Sequence, residues 1–279
     1  MKHSEQLSLP AGDIMSKSGS DVSFVAFSCL HAPLQDEEAF NKILETIARE
    51  KPDVVVHLGD GREMSWASRF DDAGELTAVQ EYEVHNDLLR QIRKAHPPAR
   101  RVILPGNHEW RLYSPRIEPC VREALHWTRH EPELQHWEQP IDYLHCRHRG
   151  VFRLGQVVFC HGFASSVSGI RKEATTLCRE FGLYVHGHTH RPTPHGTVER
   201  IMAGANWPLH FWRANPGCCR ELSPAFMGKT DKTLWGHGIV IGRAQILKSP
   251  RANRCWEART EVFKTYDQWA RGSSNAATV

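Results

Sequence analysis

Five short apolar runs in this chain each stop at a polar cluster, and that repetition restricts the fold more than any other feature. Val22–Phe27 runs into Ser28-Cys29-Leu30-His31, and residues 53–58 run into Gly59-Asp60-Gly61-Arg62-Glu63. Arg101–Leu104 precedes Pro105-Gly106-Asn107-His108-Glu109, Gln156–Cys160 precedes His161-Gly162, and Leu183–His186 precedes Gly187-His188-Thr189-His190. Runs this short and this continuously apolar predict strands buried on both faces. Helical spacing lies between them. Phe40, Ile43, Leu44 and Ile47 share one face of a helix over 37–50, with Asp36 as its cap. Val84, Leu88, Leu89, Ile92 and Ala95 mark a second helix. Ile117, Val121 and Leu125 mark a third, and Ile170, Ala174, Leu177, Cys178 and Phe181 a fourth over 170–181. Strand–helix alternation predicts βα units, whose ligands sit beyond the carboxyl ends of the strands.

The last third changes character. Residues 197–205, 238–247 and 260–263 read as strands with little helix between them, and Asn215-Pro216-Gly217 is a turn signal. A second sheet packed on the first is the expected result. The Trp- and His-rich connection 126–140 carries no clear period. Residues 1–20 read as a polar, flexible extension, 21–266 as one domain and 267–279 as a polar tail.

The chain of 279 residues has 35 basic and 32 acidic side chains, a formal charge of +3. Such balance argues against general affinity for nucleic acid or membranes. No apolar run has the length of a membrane span, and residues 1–20 lack the apolar centre of a signal peptide, so a cytoplasmic address is the default. The 8 cysteines include no CxxC pair, so buried thiols are expected at most of these positions. Cys29 is the exception, because it stands in a strand-end cluster.

Taken singly, each cluster has a simple reading. Asp60 can cap a helix, Asn107 suits a turn, and a lone His161 suits a core. His188 and His190, at i and i+2 beyond a strand end, can aim at one small volume if the backbone bends, and Gly187 is the expected site of that bend. Together the five endings would gather costly polar groups in one place, and a pair of divalent metal ions would compensate.

The set resembles the calcineurin-like metallophosphoesterase superfamily. Cys29-Leu30-His31 corresponds to Asp-x-His, Gly59-Asp60-Gly61-Arg62-Glu63 to Gly-Asp-x-x-Asp/Glu, and Gly106-Asn107-His108-Glu109 to Gly-Asn-His-Asp/Glu. His161 before Gly162, and Gly187-His188-Thr189-His190, complete the series in order. Gly-Asn-His-Glu-Trp-Arg-Leu and Asn215-Pro216-Gly217-Cys218 look most like small bacterial and phage phosphoesterases. The resemblance implies an α/β, four-layer αββα sandwich of two mixed sheets flanked by helices, with a dinuclear centre of Mn, Fe or Zn at the strand ends. It implies that His31, Asp60, His190 and position 29 hold one metal, and that Asp60, Asn107, His161 and His188 hold the other. A hydroxide between the ions would attack the phosphorus. His108 would serve the leaving oxygen and Glu109 would orient His108.

Cys29 departs from the family pattern, which has Asp. Either its thiolate is a ligand that favours softer ions, or it is a spectator beside a weak site. A solvent-open ligand thiolate would make activity sensitive to peroxide. The implied substrate is a phosphate ester, with nucleotide or nucleic-acid phosphodiesters favoured and no membrane partner. The alternatives are a phosphomonoesterase, including a protein phosphatase, and a metal-depleted interaction scaffold. The phosphoprotein phosphatases share Gly-Asn-His-Glu but resemble Gly-Asp-x-Val-Asp-Arg-Gly at the second motif, which this chain lacks. Arg62, Arg111 and Arg191 are candidate phosphate contacts, with surface ion pairs the simpler reading.

Overall fold

A computed structural model of the chain describes residues 20–68, 77–124, 131–140, 150–202, 210–222, 234–247, 254–268 and 270–271. The expected extension up to residue 19 and the tail from 272 lie outside the described residues. In order, the strands and α-helices are β1 (Ser20–Phe27), α1 (Glu37–Glu50), β2 (Val54–His57), α2 (Ala78–Ala95), β3 (Arg100–Ile103) and α3 (Pro119–Ala124). There follow β4 (Val151–Leu154), β5 (Val157–Cys160), α4 (Val167–Leu177), β6 (Leu183–His186), β7 (Glu199–Met202), β8 (His210–Ala214), β9 (Gly236–Ile246) and β10 (Trp256–Thr265).

The strands form two mixed five-stranded sheets, ordered β10-β9-β1-β2-β3 and β4-β5-β6-β8-β7. Alternation along each strand divides the core. Phe24, Ala26, Val54, Val56 and Val102 face Phe152, Leu154, Val157, Phe159, Leu183 and Val185 between the sheets. On the outer face of the first sheet, Val25, Phe27 and Val55 pack on Phe40, Ile43 and Ile47 of α1 and on Leu88, Leu89 and Ile92 of α2. On the outer face of the second, Val158, Cys160 and Tyr184 pack on Ile170 and Ala174 of α4. The layers therefore run helix, sheet, sheet, helix, as expected.

Local chemistry sets the helix ends. The Asp36 carboxylate accepts the Ala39 N–H at 2.9 Å, and Thr77 with Gln80 forms a capping box on α2. Ser166 caps α4, so that helix covers 167–177 rather than the expected 170–181. The third helix shrinks to α3. Ile117 lies ahead of it in a turn whose N–H bonds the Ser114 carbonyl at 3.0 Å, and Leu125 lies outside the described residues. The 126–140 connection contains a 3-10 turn at Pro132–His136. Strands β4 and β8 are additions to the sequence reading, and β10 is longer than expected. β4 and β10 join by antiparallel pairing with β5 and β9, and β8 by parallel pairing with β6 and antiparallel pairing with β7, tertiary contacts that no local period encodes. Among the described residues no helix is long and apolar enough to cross a membrane.

Candidate metal centre

The parallel strands end level with one another. Phe27 pairs with His57, His57 with Ile103, and Cys160 with His186, so all five polar clusters leave the sheets at the same edge. Backbone bonds then join neighbouring loops: Cys29 N–H donates to the Gly59 carbonyl at 3.0 Å, His31 N–H to the Asp60 carbonyl at 3.0 Å, and Gly187 N–H to the His161 carbonyl at 2.9 Å. Five of the seven expected ligands adopt left-handed backbone: Cys29 (φ 57°), His31 (53°), Asp60 (52°), His188 (65°) and His190 (59°). Each such residue costs on the order of 1 kcal/mol, and strain of this kind collects where side chains must be aimed. Gly187 is therefore not the bend. The bend is made by the histidines themselves, and Gly187 is needed for space, because a Cβ there would lie 1.9 Å from Ser28 Oγ.

The seven side chains converge. Asp60 Oδ2 stands 3.9 Å from His31 Nε2 and 3.2 Å from His161 Nε2, between two groups of donors. On one side, His31 Nε2 and His190 Nε2 are 3.1 Å apart. On the other, Asn107 Oδ1 lies 3.1 Å from His161 Nε2 and 2.7 Å from His188 Nδ1. Donor atoms of Cys29, His31 and His190 lie within 4.8 Å of one another, as do those of Cys29, Asp60 and His161.

The donor atoms stand close enough to share either a proton or a metal ion. His161 Nδ1 donates to the Leu58 carbonyl at 2.9 Å, so its Nε2 faces the Asp60 and Asn107 oxygens; burial opposes its protonation, but the Asp60 carboxylate raises it above the ordinary histidine range. His31 Nδ1 donates to Glu63 Oε2 at 2.8 Å, which leaves its Nε2 lone pair toward His190. Buried acceptors facing acceptors are unfavourable unless a proton or metal lies between them. Burial opposes ionisation of Asp60, yet His161, His108 and His31 hold it well below the usual carboxylate range. Burial pushes His188 down to about 4 and takes His190 well below its ordinary value, which favours the neutral imidazole a metal needs. A nitrogen, oxygen and sulfur donor set of this kind fits zinc- or iron-type ions.

The model of the calcineurin-like phosphoesterase family matches residues 22–192, a span that contains all seven side chains. The chain belongs to that family. A family of this kind uses a dinuclear divalent metal site, and the converging groups are its candidates in this calcineurin-like phosphoesterase. Similar solved structures include YfcE, a phosphoesterase from E. coli, at 15% identity over 82% of this chain and 98% of that one, TM-score 0.37. Vps29 of Chaetomium thermophilum is 12% identical over 88% of this chain and 95% of its own, TM-score 0.39. A Mycoplasma pneumoniae phosphatase is 11% identical over 92% and 99%, TM-score 0.39. Comparison with curated protein sequences gives no match.

The residues around the ligands differ from the roles carried over from the family pattern. Glu109 does not orient His108. Its carboxylate accepts the backbone N–H groups of Asp60 (3.0 Å), Gly61 (3.0 Å), Arg62 (3.3 Å) and Gly106 (2.7 Å), tying two ligand loops together. His108 Nδ1 instead donates to the Glu63 carbonyl at 2.5 Å, while its Nε2 faces Arg111 Nη2 at 3.0 Å. Since guanidinium only donates, Nε2 is the acceptor in that contact. Burial, chiefly, pushes His108 down to about 4, so its ring is neutral near pH 7. Glu63, read from the sequence as a support for the Asp60 loop, holds His31 and also pairs with Arg220 at 2.8 Å.

Arg62 is spent on structure. It is buried, pairs with Glu131, and lies over the Tyr82 ring at 4.9 Å. Arg111 is half-buried beside His108 and donates to the Glu63 carbonyl at 2.8 Å. Two supports escaped the sequence reading. Arg220 carried no motif at all. Asn215, in sequence a turn signal and part of the Asn215-Pro216-Gly217-Cys218 resemblance with no role assigned, is buried, donates to the Gly187 carbonyl at 2.9 Å and to Thr189 Oγ1 at 3.0 Å, and so fixes the loop that carries His188 and His190. The signal for it was an amide ahead of Pro216-Gly217, on a strand end facing the same edge.

Cys29 is wholly buried, 0% exposed. That removes the premise of a solvent-open thiolate, and burial pushes the thiol well above its ordinary pKa while no metal is bound. Of the other described cysteines, Cys160, Cys178, Cys218, Cys219 and Cys255 are buried as expected, and Cys120 is exposed.

Proposed function

We propose that this chain is a metal-dependent hydrolase of phosphodiesters of nucleotide or nucleic-acid type, acting in the cytoplasm. The observation that carries the reading is Asp60 Oδ2 standing between His31 and His161, with Asn107 and His188 joined on one side and His190 on the other. In this reading His31, Asp60, Asn107, His161, His188, His190 and Cys29 hold two divalent ions. When bound, such ions supply the Lewis acidity that generates a nucleophile from water at neutral pH and that neutralises the phosphoryl oxygens.

The rest of the work belongs to side chains. Neutral His108 and the Arg111 guanidinium stand together at one side of the ligand loops. Arg111 supplies fixed N–H donors and positive charge for a phosphoryl oxygen. With Nδ1–H committed to the Glu63 carbonyl, His108 Nε2 is the atom that exchanges a proton with the leaving group. It must first take one from solvent, because the Arg111 guanidinium keeps its protons and only donates a hydrogen bond to Nε2. Glu109 keeps the Asp60 and Asn107 loops at fixed separation, which preorganises the whole set.

The preference for diesters rests on the second motif. Arg62 is held by Glu131 and Glu109 rather than presented to the dianion of a monoester. The test is hydrolysis of bis(p-nitrophenyl) phosphate against p-nitrophenyl phosphate with added Mn²⁺, Fe²⁺ or Zn²⁺. Faster turnover of the diester is the expected result. A strong monoester preference selects the phosphomonoesterase instead. Fewer than one metal per chain with neither substrate turned over selects the scaffold.

A further inference from the structure

Cys29 occupies the place where the family pattern has a carboxylate, and its surroundings are those of a shared donor. Its Sγ forms one compact group with nitrogens of His31 and His190, and a second with oxygen and nitrogen of Asp60 and His161. A residue serving the first metal position alone would stand near His31, His190 and the shared Asp60, whereas His161 belongs to the second position. A tetrahedral site with metal–sulfur and metal–nitrogen bonds of about 2.3 and 2.1 Å places its donors about 3.5 Å apart, inside the 4.8 Å within which the atoms of each group lie.

The thiol is also fixed. The left-handed backbone at Cys29 is held by its N–H on the Gly59 carbonyl at 3.0 Å, and by its carbonyl under the Cys219 N–H at 3.0 Å. Ser28 Oγ lies 2.8 Å from the sulfur. One side of the residue packs on Cys218, Leu222 and Trp235. That packing alone would explain a structural cysteine, but it does not explain four ligand-type side chains gathered around the sulfur.

We propose that the Cys29 sulfur bridges the two metal positions, so that the centre is spanned by one thiolate and one carboxylate, Cys29 and Asp60. The inference rests on the dinuclear reading above and deepens it. A sulfur shared by both ions draws both positions toward zinc, iron or cadmium and away from manganese, where a terminal thiolate would bias only one.

The test loads the full chain with cadmium-113 alone and records its nuclear magnetic resonance spectrum beside the bound-metal count. A bridge gives two bound ions per chain with both resonances shifted into the sulfur-ligated range, and both move back in Cys29→Ser. One shifted resonance and one unaffected by the substitution means a terminal ligand and overturns the bridge. Two bound ions whose resonances ignore the substitution make Cys29 a spectator and overturn it too, leaving the dinuclear reading intact. A wild-type chain that binds no cadmium, zinc or manganese overturns the bridge together with the dinuclear reading. Should Cys29→Ser fail to fold by circular dichroism, Cys29→Asp restores the family carboxylate and reports on the same resonances. Manganese affinity relative to zinc should rise at least about tenfold in that variant.

Discussion

Glu109 and Asp60 are joined side chain to backbone: the Glu109 carboxylate accepts the Asp60 N–H at 3.0 Å. The loop that delivers the central carboxylate is therefore built on a buried carboxylate from the next loop. Burial opposes ionisation of Glu109, but the Arg62 guanidinium and then the Gly106 N–H hold it below its ordinary value, so it is charged in the folded state. Glu109→Gln removes that charge and leaves Arg62 and several amides poorly paired. A loss of about 2–4 kcal/mol in stability is expected, with a fall in bound metal. Denaturant melts and elemental analysis check it. A variant of unchanged stability, altered only in the pH dependence of kcat, would return Glu109 to the role of orienting His108.

Gly106 is needed for closeness. A Cβ on it would meet Asp60 Oδ1 at 2.1 Å and the Asp60 nitrogen at 2.4 Å. Gly106→Ala must push the Asp60 loop aside, at a cost of about 1–3 kcal/mol. Metal stoichiometry should drop along with thermal stability. Full metal content in a stable Gly106→Ala protein would show that the two loops have room to separate.

Asp60→Asn keeps the shape and removes the charge shared between the two donor groups. Bound metal is expected to fall below one ion per chain, and diester turnover by more than about 100-fold. Retained stoichiometry would mean that the histidines alone hold the ions.

Arg111→Met tests the guanidinium beside His108. If Arg111 binds a phosphoryl oxygen equally in ground and transition states, KM rises about tenfold with kcat nearly constant. A fall in kcat alone would place its action on the His108 proton instead, and a shifted pH–rate profile would accompany it.

Cys178 offers a pH test away from the centre. Burial pushes its thiol up to about 12 from an ordinary 9. Between those values the native state holds a proton that the unfolded chain releases, so stability is fully present below pH 9 and declines as pH rises toward 12. Three units correspond to at most about 4 kcal/mol. Cys178→Ala should flatten the alkaline decline relative to wild type in melts across that window. Parallel curves would mean that the thiol ionises as easily folded as unfolded.

Much of the molecule is written in local pattern. The apolar runs ending at Phe27, Leu58, Cys160 and His186 name core strands, because a strand buried on both faces is largely apolar; β3, with Arg100 and Arg101 half-buried, is apolar only toward its end. The Asp36 cap and the spacing of Phe40, Ile43 and Ile47 name α1, because a helix buries one stripe. The candidate donors are legible as polar residues at the ends of such runs, and their assignment to two metal positions comes from the resemblance to the family pattern. What only the tertiary structure decided is how those ends are held and aimed. Strands β4 and β8 are four and five residues long and are fixed by pairing with β5, β6 and β7. Glu109 faces backbone amides of a loop 48 or so residues earlier rather than its neighbour His108, and Asn215 pins a loop 28 residues before it. The left-handed turns of His31, Asp60, His188 and His190 belong to no local preference of those residues. They hold because packed loops on all sides leave no other backbone path to one shared point.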